Sequence, residues 1–450
     1  MQIITKIMLS ATIIRMIIVK GRRLYVILIL CFFTFLLVAV RQRNHRDALV
    51  CPITLYAMFY TICVFGAFLA LDNRNELSER LIFYSLLSFI IVVSSYSFFE
   101  RMKVSISYRR SNIEVDSKLL YILSLLVLGF FLYTFVTSTL PMFLSGVSTA
   151  ELRRLYLTGD GSETNLLSLI IDGVICSGLS MALANIIILD WFTGRNKDIK
   201  LVAINSLILI VRSVNGSDRL YFFDFVFTVF FAYMITSHRT INIIESIRVQ
   251  RKNKKMMILI ASVAILGILY MTNQRQSDTE LFDVIYSEFT CGFQIFDICI
   301  DKMDAAGIYT WGITSFAGII ILINLILAFL GLPQISLINE INKYDVPFWD
   351  VGGGHNNNGY LPYLAHFYLD MGVLGIVLGS IIFGAIMASV YKKVKYNDGT
   401  YNKCLYLFVI LLIARCTLRW YFTRIDFIMA IVFTMVLYNW RFDFCKDQNG

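Results

Sequence analysis

LLYILSLLVLGFFLYTFVTSTLP, residues 119–141, continues for 23 residues without a single charged side chain. At a rise of about 1.5 Å per residue, a helix of this length is longer than the roughly 30 Å of a bilayer's hydrocarbon core. Similar apolar runs recur along the whole chain. They predict an all-α protein, a polytopic bundle of transmembrane helices.

The composition of the 450-residue chain agrees with this class. Apolar residues make up 58% and charged residues 16%, whereas soluble proteins average about 45–50% and about 25%. The net charge of +9 does not indicate a nucleic-acid surface, because the basic residues lie in short connectors between apolar runs. We therefore expect the lipid bilayer as a partner and no nucleic acid.

The apolar runs predict eleven or twelve spans. Eleven runs are accepted, at residues 24–40, 51–71, 81–99, 119–141, 166–191, 201–214, 220–236, 256–271, 372–391, 404–420 and 425–440. A further apolar stretch at residues 3–19 carries Lys6 and Arg15. It is compatible with an extra span, an interfacial helix or an artefact of an upstream start, and the sequence does not decide among them.

The charges of the connectors predict the orientation, because Lys and Arg are retained on the cytoplasmic side. Connectors 101–118, 194–200 and 239–255 are rich in Lys and Arg, so they are expected inside. Residues 272–312 carry seven acidic residues against two basic ones and are expected outside. Segment 313–330 is apolar enough to span, but a crossing there would place the lysines at 392–403 outside.

We therefore predict that segment 313–330 is re-entrant or interfacial. The chain then divides into an N-terminal transmembrane bundle (1–271), an extracytoplasmic loop (272–371) and C-terminal transmembrane helices (372–450). Within the loop, large apolar residues recur every three or four positions between 281 and 300, which predicts an amphipathic helix on the membrane surface.

The polar edge of this amphipathic helix carries three carboxylates, those of Asp297, Asp301 and Asp304. Such a trio is able to hold a divalent cation, but it is more often the solvated edge of an amphipathic helix. No metal site and no cofactor are predicted.

VGGGHNNNGYLPYLAHFYLDMGVLG, residues 351–375, contains two of the four histidines, His355 and His366. Asparagine amides bond to hydroxyl groups, aromatic rings stack on sugars, and histidine accepts a proton near neutral pH. This block predicts a carbohydrate site whose residues are His355, Asn356, Asn358, Tyr360 and Asp370. Alternatively, the glycines and asparagines form a turn before the next helix, and His366 is a packed interfacial residue.

Arginines form the second set of candidate residues. A guanidinium within or beside an apolar span is costly and usually faces a polar cavity, and its planar fork suits phosphate. Several forks predict a pyrophosphate site at the outer face, built from Arg153, Arg154, Arg212, Arg219, Arg275, Arg415 and Arg419. The alternative is that each arginine reaches lipid head groups or pairs with a nearby acid such as Asp218, Asp224 or Asp426.

In layout and in several short motifs the chain resembles the O-antigen polymerases, the Wzy-type oligosaccharide repeat unit polymerases. Asp47 and Pro52 open the second span, and GVSTAELRRLYLTGDG, VNGSDR and MTNQRQSDTE form arginine-bearing connectors. The most specific part is the sequence HN followed by an aromatic helix and by YLDMGVLG, which is similar to the ending of that family.

The resemblance implies a GT-C-like, metal-independent glycosyltransferase in the bacterial cytoplasmic membrane. It would polymerise undecaprenyl-pyrophosphate-linked repeat units of O-antigen or capsule at the outer face. The arginines would hold the departing pyrophosphate, and His355, or Asp370 if the histidine is structural, would be the general base. A chain-length regulator protein is a further candidate partner.

Two other functions fit parts of the sequence. A flippase for lipid-linked oligosaccharides would also be polytopic and basic, but transporters tend to contain two related halves with polar residues at the midplane. Here the polar residues concentrate on one face. A membrane acyltransferase would suit an outer histidine, although no route for an acyl donor is evident.

Overall fold

The computed structural model describes residues 21–44, 51–71, 73–102, 115–147, 151, 170–194, 198–216, 220–237, 262, 281–357, 361–397 and 399–439. The helices are α1 Gly21–Asn44, α2 Pro52–Leu69, α3 Glu79–Arg101, α4 Ser117–Thr134, α5 Leu140–Leu144, α6 Ser177–Thr193, α7 Ile199–Asn215, α8 Leu220–Ser237, α9 Leu281–Ala306, α10 Ala317–Phe329, α11 Asn342–Asp345, α12 Tyr363–Tyr396, α13 Thr400–Arg415 and α14 Ile425–Asn439.

Short irregular elements connect some of these helices. π-Helical turns at Phe135–Thr139 and Ile170–Cys176 precede α5 and α6, and 3₁₀ turns lie at Ser336–Glu340 and Tyr421–Thr423. Two short strands, β1 Trp349–Asp350 and β2 Asn356–Asn357, pair antiparallel, with Trp349 opposite Asn357.

Within the described part of the chain, five helical stretches are long and apolar enough to cross a membrane. They are Pro52–Leu69, Glu79–Arg101, Ser117–Leu144, Ile170–Thr193 and Tyr363–Tyr396. Shorter apolar helices accompany them at Leu28–Ala39, Tyr221–Thr236, Ala317–Phe329 and Ile425–Asn439. These helices agree with the all-α membrane class predicted from composition, whereas the number of crossings and the three-part division stay predictions.

α12 packs along α3, and a buried chain of hydroxyl groups joins these helices to α2. Ser88 Oγ lies 2.6 Å from Tyr363 Oη and 2.7 Å from Ser380 Oγ, and Tyr363 Oη lies 2.8 Å from Tyr56 Oη. Buried hydroxyls that bond to one another escape the cost of lost hydration. The chain therefore fixes how α2, α3 and α12 sit against one another.

α12 is broken near its start, at Met371 and Gly372. Gly372 has φ +60° and ψ −139°, a conformation that residues with a Cβ rarely adopt. The break brings the two halves of α12 so close that a Cβ on Gly375 would lie 1.9 Å from the Phe367 carbonyl oxygen. The glycines of the YLDMGVLG motif are therefore required by the backbone itself.

α13 joins the two sides of the bundle, since it packs against α2 and α12 and also against α6, α8 and α14. The hairpin that follows it, residues 416–424, is attached to the start of α12 by a backbone hydrogen bond from Tyr363 N to Cys416 O, 2.9 Å long. This hairpin contributes one wall of the cavity described below.

α9 is the amphipathic helix expected between residues 281 and 300, but its surroundings differ from the prediction. Its apolar side chains Phe293, Phe296 and Ile300 are buried, and the helix packs against α2. An apolar stripe of this kind is able to contact either lipid or another helix, so the periodicity of the sequence alone could not distinguish these two environments.

The acidic edge of α9 binds the start of α3. Asp297 accepts hydrogen bonds from the backbone N–H of Ser78, at 2.7 Å, and from its hydroxyl. Arg80 contacts Asp304 at 2.6 Å and Asp301 at 3.4 Å. In this structure the three carboxylates thus have protein partners from the neighbouring segment.

Candidate functional site

A cavity of about 530 Å³ lies between α10, the segment 334–345, the start of α12 and the hairpin 416–424. This volume is within the range of roughly 300–1,000 Å³ that is usual for small-molecule sites. Its lining combines cationic and amide side chains with apolar ones and includes Asn324, Gln334, Asn339, Asn342, Asp345, His366, Arg419 and Arg424. We refer to it as the hairpin cavity.

Asp370 holds the segment that leads into α10. Its carboxylate is 3% exposed and accepts five hydrogen bonds: from Thr310 Oγ1 at 2.5 Å, from Thr314 N at 3.2 Å and Oγ1 at 2.8 Å, and from Ser315 N at 3.2 Å and Oγ. The indole N–H of Trp420 donates to Ser315 O at 2.7 Å. These bonds fix the start of α10, which forms one wall of the cavity, to both α12 and the hairpin.

Close backbone packing completes this wall. A Cβ on Gly318 would lie 2.7 Å from Arg424 O and 2.8 Å from Phe422 O, so only glycine lets α10 approach the hairpin so closely. On the other side, the Asn324 amide donates to Ile335 O at 3.1 Å and accepts from Ile335 N at 2.8 Å. This pair of bonds folds the segment 334–345 back over α10.

Tyr344 anchors the far end of that segment. Its side chain is buried, and its carbonyl oxygen accepts a hydrogen bond from the Trp349 indole at 2.8 Å. Burial raises the pKa of the Tyr344 phenol above its usual value, so this side chain adds no negative charge beside the cavity.

Arg424, which lines the cavity, and Arg212, which does not, share the carboxylate of Asp426. Arg212 Nη2 lies 2.8 Å from Asp426 Oδ2, and Arg424 Nη2 lies 2.6 Å from the same oxygen. Arg212 also donates to the Ser180 hydroxyl at 2.7 Å, and its guanidinium lies 3.8 Å from the centre of the Tyr221 ring. Asp426 therefore holds both guanidiniums in place through one carboxylate oxygen.

Arg415 and Asp224 form a second buried ion pair, in which one positive charge meets one negative charge. Arg415 Nε lies 3.0 Å from Asp224 Oδ1, and the Tyr421 hydroxyl donates to Asp224 Oδ2 at 2.6 Å. Arg415 and Arg212 thus follow the alternative stated from sequence, in which an arginine pairs with Asp224 or Asp426.

The cavity wall itself keeps cationic groups available. Arg419 is partly buried and, among the described residues, its guanidinium takes part in none of the ion pairs. Arg424 Nη1 is buried and has no hydrogen-bond partner in the described part of the chain. Of the described residues that line the cavity, Arg419 and Arg424 are cationic and Asp345 is acidic. Two guanidiniums against one carboxylate favour an anion as the ligand.

His366 lies in the same cavity. It is 4% exposed, and its Nδ1 has no hydrogen-bond partner among the described residues. Its backbone oxygen accepts from the Thr314 hydroxyl at 3.3 Å, which ties it to the segment held by Asp370. The sequence alone left His366 open as a packed interfacial residue, whereas the structure places it on the wall of the hairpin cavity.

His355 and Asn356 lie elsewhere, in the turn between β1 and β2. His355 is partly buried, Asn356 is exposed, and neither lines the hairpin cavity. Gly352, Gly353 and Gly354 in this turn have φ of +95°, +65° and +80°, as the turn interpretation of the block requires. The structure does not test the proposed chemical roles of His355 and Asp370.

The remaining candidate residues lie outside the described part of the chain. They are Arg153, Arg154, Arg219, Arg275, Asn358 and Tyr360. Of the predicted anion-binding arginines, the structure therefore locates Arg212, Arg415 and Arg419, and it brings only Arg419 to the cavity wall.

Sequence reasoning missed the amide side of the cavity. Gln334, Asn339 and Asn342 are exposed and line the cavity together with residues of the hairpin. A signal was present, because the stretch QISLINEINKYD places these amides directly after the apolar segment 313–330, which was predicted to be re-entrant or interfacial. Arg424 and His366 were visible as well, but nothing in the sequence indicated that they share a cavity.

The fold and the cavity define a helical membrane protein with a cationic, amide-lined site. Comparison of the chain with protein-family models, with curated proteins and with solved structures gave no match.

Proposed function

We propose that this protein polymerises undecaprenyl-pyrophosphate-linked oligosaccharide repeat units, as a GT-C-like, metal-independent glycosyltransferase at the outer face of the bacterial cytoplasmic membrane. The observation that carries the proposal is the hairpin cavity of about 530 Å³, whose lining combines cationic and amide side chains. The resemblance of the chain to O-antigen polymerases supports the same substrate class.

The arginines would serve the leaving group. When the bond between the donor sugar and the pyrophosphate breaks, negative charge grows on the departing oxygen, and fixed cations stabilise that charge most where water is scarce. Arg419 and Arg424 line the cavity, and Arg424 is held in position by Asp426 at 2.6 Å. Because these groups are already placed, little reorganisation is needed when the charge develops.

The amides would serve the glycan. Asn339, Asn342 and Gln334 offer both donors and acceptors, which is what sugar hydroxyls require. Because these amides and the two arginines line the same cavity, the cavity fits a ligand that carries both a phosphate group and sugar hydroxyls.

Deletion of the gene tests the proposal in cells. We expect the surface glycan of the deletion strain to carry a single repeat unit, and complementation with the wild-type gene to restore the ladder of longer chains. Arg419→Ala should reduce polymer by ~100-fold or more, the usual effect of removing one group that stabilises developing charge.

The matched control is Lys343→Ala. Lys343 lies on α11 beside the cavity, but its side chain is 57% exposed and it pairs with Glu340, so its loss should leave the ladder intact. Accumulation of repeat units on the cytoplasmic leaflet of the deletion strain would contradict the proposal and favour a flippase.

A further inference from the structure

We propose that His366 is the catalytic base of this reaction, the group that takes the proton from the attacking hydroxyl of the acceptor sugar. This inference rests on the proposed function. It begins from an unusual combination: a histidine that is 4% exposed, lines a polar cavity and has a buried ring nitrogen without a partner.

A buried imidazole normally has both nitrogens bonded, because an unpaired polar atom in the interior costs free energy. A ligand hydroxyl that reached the ring from the cavity would supply a partner. A neutral imidazole always keeps one nitrogen able to accept a proton. His366 therefore has the capacity and the location for proton transfer, and Arg419 lines the same cavity for the leaving group.

The other candidate bases are less well placed. Asp370 already accepts five hydrogen bonds from the segment 310–315, so it holds the wall and has little capacity for a further proton donor. His355 lies in the β1–β2 turn and does not line the cavity. Asp345 does line it, and it is the residue against which His366 must be compared.

The step balances without any added reactant. The acceptor hydroxyl oxygen forms a bond to the anomeric carbon of the donor sugar, and the bond from that carbon to the pyrophosphate oxygen breaks. The hydroxyl proton passes to the imidazole of His366, and the electron pair of the broken bond leaves on the pyrophosphate, next to Arg419 and Arg424. The proton is later released to water.

The experiment compares His366→Gln with Lys343→Gln, a control outside the cavity lining, in the full-length protein, purified and placed in nanodiscs. Two quantities are measured for each variant: affinity for undecaprenyl pyrophosphate, and the rate of polymer formation from lipid-linked repeat units extracted from the deletion strain. Asp345→Asn and His355→Gln, which alter the two rival bases, are measured in parallel. Retained affinity for undecaprenyl pyrophosphate shows that each variant is folded around its cavity.

We expect His366→Gln to lose ~100-fold or more in rate, the usual contribution of a general base, with affinity within threefold of wild type. Lys343→Gln should stay within threefold of wild type in both. A His366→Gln rate near that of wild type, an equal loss of affinity and rate, or a large loss of rate in Asp345→Asn or His355→Gln alone would overturn the assignment. If the wild-type protein binds the lipid but forms no polymer, the proposed function is wrong, and the assignment of His366 as its base is then wrong as well.

Discussion

Replacing Asp370 with asparagine tests whether this residue holds the cavity wall or performs chemistry. The substitution keeps the size of the side chain and removes its charge. Asp370 Oδ1 accepts from Thr310 and from two groups of Thr314, and Oδ2 accepts from the backbone N–H and the hydroxyl of Ser315. An asparagine keeps one such oxygen and turns an amide N–H₂ group towards the Ser315 N–H.

The expected loss of local stability in segment 310–315 follows from these contacts. One buried N–H left without an acceptor costs ~1–3 kcal/mol, and a hydrogen bond falls from ~1.5–3 to ~0.5–1.5 kcal/mol when its acceptor loses its charge. Because neighbouring terms are not additive, we expect segment 310–315 to lose about 3–5 kcal/mol of local stability, comparable to breaking a buried charge pair. At 1.4 kcal/mol per factor of ten, local opening rises roughly 100- to 4,000-fold.

Hydrogen exchange of the peptide that covers residues 307–316 measures this opening directly, because the Thr314 and Ser315 amides bond to the carboxylate. Asp301→Asn is the matched control, because it makes the same chemical change at an exposed aspartate. The Asp301 side chain is 92% exposed and lies 3.4 Å from Arg80, and exposed pairs of this kind contribute ~0–1 kcal/mol. Exchange in Asp370→Asn within threefold of wild type, together with lost polymer formation, would refute the wall-holding role and indicate a chemical one.

Three further substitutions probe the buried framework and the orientation. Asp426→Asn leaves Arg212 and Arg424 without their shared carboxylate, so we expect a loss of about 3–5 kcal/mol, measured as a lower midpoint of thermal unfolding in micelles; an unchanged midpoint would contradict the shared pair. Gly375→Ala places a methyl group 1.9 Å from a carbonyl oxygen of the same helix, which should cost about 3 kcal/mol or more and reduce the folded yield on size-exclusion chromatography, whereas a wild-type yield would argue against the close approach. Lys343→Cys should react with a membrane-impermeant maleimide from the outside of spheroplasts, and labelling only after lysis would place segment 334–345 in the cytoplasm.

The fold class was accessible from sequence because a membrane span is a local property. A run such as residues 119–141 is long and apolar enough to indicate a membrane span by itself. The structure has apolar helices where most of the described runs lie. The break in α12 was indicated only in part, by Gly372 and Gly375. The carbonyl of Phe367 that Gly375 must avoid became visible only once the two halves of the helix were placed.

The site was far less accessible, since it depends on pairs that are distant in sequence. Arg212 and Asp426 are separated by 214 positions, and no periodicity connects them. From sequence, each arginine was consistent with an ion pair to an aspartate or with a phosphate site. Only the contacts show that Arg212 is paired with Asp426 while Arg419 lines the cavity. His355 attracted the functional interpretation because it adjoins asparagines, although His366 is the histidine that reaches the cavity.

The most direct test of the account is the affinity of the purified protein for undecaprenyl pyrophosphate, measured for wild type, Arg419→Gln and Lys343→Gln in nanodiscs. One charge-assisted hydrogen bond contributes ~1.5–3 kcal/mol, so Arg419→Gln should weaken binding roughly 10- to 100-fold by the tenfold-per-1.4 kcal/mol rule, with Lys343→Gln unchanged. Equal affinity in all three proteins would show that the hairpin cavity does not hold the pyrophosphate.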